Sequence, residues 1–229
     1  MISSMNEIIG DLAVATVKGA VSSIPFIGGL LAEYIGLAQE KITDKRIKEW
    51  IESIENRLEK LNCDMKSLSE NELFFTSLHI ATGKILKELQ REKREYFANA
   101  VFNTIHITDI SEDKKMVFFF LLEKYTLSSI KLLKLYSENN YRDSDYVKRS
   151  GSTITTIHPG QEKAFAYIQE KINEFKNEAE LVKNLTTQLF YDGLIEEIDF
   201  SMPEYPDQSR RKRTTELGDE FLKFIKEQE

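Results

Sequence analysis

The chain has 229 residues, of which 41% are hydrophobic and 30% are charged, and its formal net charge is −7. This composition is typical of a globular protein with one large domain or two small ones. The negative charge disfavours a general binder of polyanions, because phosphate affinity comes from Lys and Arg side chains. Cys63 is the single cysteine, which excludes an internal disulfide and favours a reducing, cytoplasmic localisation.

The first predicted element is an apolar helical hairpin between Leu12 and Ala38, a run whose only charged residues are Lys18 and Glu33. Pro25 divides the run into halves of about 14 residues, each about 21 Å long as helix and shorter than a roughly 30 Å hydrocarbon core. Three interpretations of this run stay open: a buried hairpin, an interface with a second copy or partner, or a membrane-active segment. The residues expected to form this surface are Phe26, Ile27, Gly28, Leu30, Leu31, Ala32, Ile35 and Gly36.

Amphipathic helices follow the hairpin. The stretch KRIKEWIESIENRLEKL predicts a helix ending near Leu61, with an apolar stripe formed by Ile47, Trp50, Ile51, Ile54, Leu58 and Leu61. Ser69 with Glu72 predicts a capping box that starts a helix running to about Leu89. REKREYFANAVFNTI predicts a further helix. Met116 to Leu122 is apolar all round, which predicts burial on several sides. Residues 141–160 are polar and predict a long loop.

TLSSIKLLKLYSENN and QEKAFAYIQEKINEF each predict a helix, one before and one after the long loop, and two further helices are expected around a small β-hairpin. A helix is expected over Glu178–Tyr191, with Leu181, Leu185 and Leu189 facing inward and Gly193 at its C-terminal cap. LIEEIDF alternates in polarity and predicts a strand, and RRKRT predicts its partner strand. A final helix closes the chain.

This order of elements, together with GLIE and Thr215-x-x-Gly218-x-x-Phe221, resembles the winged-helix superfamily over roughly residues 127–227. The N-terminal helical region carries no family pattern that we recognise. The expected fold is mainly α: a helical bundle in residues 1–110, followed by a winged-helix-like domain with a small β-hairpin in residues 111–229.

The resemblance implies that the helix before the hairpin enters the major groove of DNA and that the wing contacts the backbone. Acidic residues surround the same elements and would repel DNA, and basic residues on an edge strand also discourage edge-to-edge pairing. Many winged helices mediate protein contacts instead, so DNA and a protein partner both stay open. The nucleic-acid-binding candidates are Lys183, Asn184, Thr187, Gln188, Arg210, Arg211, Lys212 and Arg213.

The sequence contains no pattern of catalytic or metal-binding residues. His79, His106 and His158 are scattered, and Cys63 has no cysteine or histidine at ligand spacing. Gly28 and Gly29 follow no predicted strand, so they do not form a phosphate-binding loop. We therefore expect no enzymatic activity and no cofactor.

Two functions fit these patterns. The first is a bacterial-type regulatory or adaptor protein whose winged helix binds DNA or a protein, with a homodimer as a further option. The alternative is a membrane-active or membrane-proximal helical effector acting through residues 12–38, in a role such as stress response or phage defence.

Overall fold

The computed structural model describes residues 41–60, 68, 70–138, 167–198 and 212–228. These residues are mainly helical. The chain divides into two compact units, the first comprising Met1–Lys124 with Phe224–Glu229 and the second Tyr125–Lys223. The division therefore falls later than the sequence-based boundary after residue 110, and the last residues of the chain join the first unit.

The described part of the first unit is a bundle of four helices. They are α1 (Lys41–Lys60), α2 (Glu72–Ile85), α3 (Arg91–His106) and α4 (Glu112–Lys124). Helices α1 and α4 each pack against both α2 and α3. The apolar stripe predicted for α1 is confirmed, since Ile47, Trp50, Ile51, Ile54 and Leu58 are all buried.

Helix α2 begins later than the sequence predicts. Its N-cap is Asn71, whose side-chain oxygen accepts a hydrogen bond from the backbone N–H of Phe74 at 2.8 Å. Ser69 of the predicted capping box lies outside the described residues, and Glu72 is the first helical residue after the Asn71 cap. Asparagine caps helices as well as serine does.

Helices α3 and α4 cap each other with buried lysines. Lys115, near the start of α4, donates from Nζ to the backbone oxygen of Thr104 at 2.9 Å. Lys93, near the start of α3, donates to the backbone oxygen of Glu123 at 3.2 Å. Each ammonium thus satisfies a carbonyl in the last turn of the other helix, where intrahelical donors are missing and positive charge is favoured.

Two buried asparagines of α3 bind the end of the chain. Asn103 donates from Nδ2 to the backbone oxygens of Phe224 at 2.7 Å and Lys226 at 2.8 Å. Asn99 donates to the backbone oxygen of Ile225 at 3.0 Å and accepts from Arg57 at 2.8 Å. The rings of Phe118 and Phe119 pack against Phe224. Residues 224–228 are therefore an integral part of the first unit.

The second unit contains α5 (Leu127–Ser137), α6 (Ala179–Tyr191) and α7 (Glu216–Ile225), whose last two residues belong to the first unit. Residues 167–171 are helical and lead into a 3-10 turn, Asn173–Phe175. Helices α5 and α6 pack together, and the hydroxyls of Tyr136 and Thr186 form a buried hydrogen bond of 2.9 Å between them. In the described ranges the one β pairing is an antiparallel bridge of Ile195 with Thr214. A mainly α fold is confirmed, whereas the predicted β-hairpin is represented in these residues by that bridge alone.

Candidate functional site

Helix α6 ends in a Schellman motif centred on Gly193. The N–H of Leu194 donates to the oxygen of Leu189 at 2.9 Å, and the N–H of Gly193 donates to that of Phe190 at 2.8 Å. Gly193 has a φ of +73°, a left-handed conformation that glycine adopts without strain. The predicted cap at Gly193 is confirmed, and it turns the chain directly into the bridge at Ile195.

The Thr215, Gly218 and Phe221 pattern has a physical explanation in the second unit. The Thr215 hydroxyl donates to the backbone oxygen of Gly193 at 2.6 Å and accepts from the N–H of Gly218 at 3.2 Å. A Cβ at Gly218 would lie 2.1 Å from the backbone oxygen of Leu194, so only glycine permits this approach. Phe221 is fully buried and its ring packs edge-on against Tyr125. The pattern therefore fixes the start of α7 against the end of α6.

The backbone around the bridge also connects to α5. The N–H of Glu196 donates to the oxygen of Arg213 at 2.8 Å, and the N–H of Arg213 donates to that of Tyr136 at 2.8 Å. Tyr125 donates from its hydroxyl to Asp192 at 2.5 Å, and burial followed by this hydrogen bond raises the pKa of Tyr125. These contacts join the residues that follow α6 to Tyr125 and to Tyr136 of α5. The side of α6 that faces away from them is exposed.

We define the α6 face as the exposed side of this helix. Its members are Glu180, Leu181, Lys183, Asn184, Thr187, Gln188 and Tyr191. All four helix residues predicted as nucleic-acid contacts, Lys183, Asn184, Thr187 and Gln188, are therefore accessible. The buried side is formed by Val182, Leu185, Thr186 and Leu189.

Two residues of the α6 face were not anticipated from the sequence. Leu181 is 40% exposed and Tyr191 is 80% exposed. The sequence pattern predicts Leu181 inward because it lies four residues before Leu185, but Val182 lies three residues before Leu185 and occupies the core instead. Spacings of three and four residues are both compatible with one helical face, so packing decides between them.

The basic cluster near the bridge is less available than the sequence predicts. Arg213 is 3% exposed, so its side chain is not on the accessible surface where the sequence placed it. Lys212 is exposed and forms an ion pair with Asp219. Arg210 and Arg211 lie outside the described residues.

Carboxylates flank the α6 face at both ends. Glu178 and Glu180 are exposed at the start of α6, and Glu196 and Glu197 are exposed just after the bridge. Within the described part of α6 itself, Lys183 is the single basic residue. The local field around the helix is therefore negative, which opposes the approach of a phosphate backbone.

The other predicted surface, containing Phe26, Ile27, Gly28, Leu30, Leu31, Ala32, Ile35 and Gly36, lies outside the described residues. Among the helices of the described ranges, none combines the length and apolar character that a bilayer crossing requires. The same ranges contain no group of three or more His, Cys, Asp or Glu side chains arranged to hold a metal ion.

Comparison with known proteins adds no relatives: no protein-family model, no curated protein and no solved structure matches this chain.

Proposed function

We propose that this protein is a non-enzymatic regulatory or adaptor protein whose C-terminal unit is a winged helix that binds a protein partner with the α6 face. The order of α5, α6, the bridge and α7 supports the winged-helix assignment. The close approach of Gly218 to Leu194 supports it further, because that contact packs α7 against the junction between helix and bridge.

The observation that carries the choice of a protein partner is the chemistry of the α6 face. The large side chains of Tyr191, an amphipathic aromatic, and Leu181, an apolar one, are exposed near its two ends, about 15 Å apart along the helix. Tyrosine is enriched among the residues that dominate protein interfaces, and neutral polar side chains such as Asn184 and Gln188 suit the surrounding rim. A DNA-reading helix would need several unopposed cations, whereas this face has Lys183 beside Glu180.

A crosslinking experiment tests the partner class. A photoreactive residue is introduced at Gln188 on the α6 face, or at Glu52 on the exposed side of α1 as a matched control, in cells that express the protein. We expect a protein adduct from position 188 but not from position 52. Tyr191→Ala should abolish the adduct, since removing an anchor of this type weakens binding about 30-fold or more.

A titration with duplex DNA tests the alternative that the α6 face binds DNA instead of a protein. If the α6 face reads DNA, the purified chain binds a mixed-sequence duplex, the affinity falls steeply with salt, and Lys183→Ala weakens it. We expect no such binding. Salt-dependent binding lost in Lys183→Ala, together with no protein adduct from position 188, would replace the protein partner with DNA.

A second candidate function is favoured by the sequence of the N-terminal segment. Leu12–Ala38 contains Lys18 and Glu33 as its only charges and has Gly28, Ala32 and Gly36 four residues apart, a spacing that permits close helix packing in lipid. We infer from this a membrane-active effector role. Dye release from vesicles of mixed neutral and anionic lipids would support it, provided that Leu30→Glu with Leu31→Glu abolishes the release; intact vesicles would refute it.

A further inference from the structure

Helix α4 exposes apolar side chains that the sequence pattern predicts to be buried. Val117 is 49% exposed and Phe120 is 65% exposed, whereas Phe118, Phe119 and Leu122 are buried in the bundle. Exposed large apolar side chains grouped on one surface mark interaction sites. We define the α4 stripe as the exposed row Asp113, Val117, Phe120 and Lys124, which follow one another at spacings of three and four residues on one side of α4.

The α4 stripe is self-complementary. From its N-terminal to its C-terminal end, the stripe carries one acidic, two apolar and one basic side chain. The midpoint between Asp113 and Lys124 coincides with the midpoint between Val117 and Phe120. A two-fold axis through that midpoint would place each Asp113 opposite the Lys124 of a second, antiparallel copy. The same axis would place each Val117 opposite a Phe120. Two-fold interfaces require this kind of match of a surface with itself.

We propose that the α4 stripe is an interface between two copies of this chain, which pair through antiparallel α4 helices. The occupant is a second copy because the order of charges along the stripe complements itself when reversed. The antiparallel arrangement also sets the positive N-terminal end of each α4 dipole beside the negative C-terminal end of the other. This inference does not depend on the partner of the α6 face.

The surroundings of the stripe extend the contact. Met116 follows Asp113 by three residues, and both line an open cleft of about 470 Å³ together with Glu112 and with Leu73 and Thr76 of α2. The stripe spans about 16 Å of helix, which is small for a permanent dimer. We therefore expect a reversible dimer whose dissociation constant rises with salt, because the charged ends are exposed.

The test is sedimentation analysis of the full-length chain over a range of concentrations. Wild type should show a monomer–dimer equilibrium. Phe120→Ser should raise the dissociation constant at least about tenfold, because a two-fold interface loses two aromatic anchors for each substitution. Leu89→Ser is the matched control, since Leu89 is 78% exposed and lies off the stripe between α2 and α3; it should leave the equilibrium unchanged.

Charge reversal then tests the antiparallel register. Asp113→Lys gives a stripe with a lysine at each end, and Lys124→Asp gives a stripe with an aspartate at each end. Each variant alone should dimerise about threefold to tenfold more weakly than wild type, because like charges now meet twice. An equimolar mixture of the two variants should form a heterodimer, since the opposite charges meet again. Far-UV circular dichroism checks that both variants keep their helix content.

Three outcomes would overturn the proposal. A wild-type chain that stays monomeric at its highest soluble concentration would assign the stripe to another occupant, such as Leu12–Ala38 or a foreign protein. A dimer that Phe120→Ser leaves unchanged would place the interface elsewhere. Charge-reversed variants that fail to pair in the mixture would exclude the antiparallel register.

Discussion

Replacement of Asn103 by alanine should destabilise the first unit strongly. Asn103 is 1% exposed, and its amide donates to two carbonyl oxygens, those of Phe224 at 2.7 Å and Lys226 at 2.8 Å. The Phe224 carbonyl lies in the last turn of α7, where no further helical turn supplies donors, whereas the exposed Lys226 also accepts a hydrogen bond from Gln228 Nε2 at 3.3 Å. Alanine therefore leaves one buried backbone acceptor, the oxygen of Phe224, without its partner and creates a small cavity.

The magnitude follows from this one orphaned acceptor. A buried acceptor left unsatisfied costs about 1 to 3 kcal/mol, so Asn103→Ala should lower the free energy of unfolding by about 1 to 3 kcal/mol. For a chain of this size, 1 kcal/mol shifts the melting temperature by about 2 to 4 °C, so we expect the first unit to melt roughly 2 to 12 °C lower. Urea unfolding followed by circular dichroism at 222 nm measures the change.

Asn56→Ala is the matched control, because Asn56 lies on the exposed side of α1 in the same unit. Its free energy of unfolding should stay within about 0.5 kcal/mol of wild type. An Asn103→Ala variant that also unfolds within that range would refute the reasoning, since the Phe224 carbonyl would then have another donor.

Three further predictions concern single contacts. Gly218→Ala should cost at least about 2 kcal/mol of stability in the second unit, because its Cβ would meet the Leu194 oxygen at 2.1 Å, whereas Glu216→Ala on the exposed side of the same helix should stay near neutral on thermal melting. Lys115→Met should lower stability by about 1 to 3 kcal/mol through loss of its hydrogen bond. Burial lowers the pKa of Lys115 below 10.5 in the folded chain, so the unfolded chain keeps this proton to higher pH. Between the folded-state pKa and 10.5, wild-type stability therefore rises with pH, and urea titrations should find no such rise in Lys115→Met. Tyr125→Phe should cost about 1.5 to 3 kcal/mol near neutral pH. Because the folded pKa of Tyr125 is raised above 10.0, its stabilisation is lost as pH rises beyond that value, and the variant should lose less stability there than wild type. A Tyr125→Phe variant with the same alkaline profile as wild type would contradict the role of this hydroxyl.

Local sequence pattern alone predicts the helices and most of their inward faces. The stripe of Ile47, Trp50, Ile51, Ile54 and Leu58 needed no structure, because a helix that buries one side requires apolar residues at that spacing. The cap at Gly193 was equally readable, since few residues adopt a left-handed conformation without strain.

Tertiary packing decides between local choices that the sequence pattern leaves equal. Val182 rather than Leu181 enters the core, because either residue satisfies the helical spacing to Leu185 and only the neighbouring helices distinguish them. The sequence of an apolar helix also does not indicate which of its sides packs against other helices. Phe118 and Phe120 are phenylalanines of the same apolar run, yet Phe118 is fully buried and Phe120 is exposed on the α4 stripe.

Burial of charge was likewise decided by the tertiary structure. Arg213 stands in a run of basic residues that reads as a solvated cluster, but its side chain is 3% exposed. The spacing of Lys93 and Lys115 does not indicate that their ammonium groups bind carbonyl oxygens at the C-terminal ends of α4 and α3, respectively. The amino-acid sequence shows which residues carry charge and at what spacing. The partner of each charge lies on another helix, so only the packed bundle brings the ammonium and the carbonyl together.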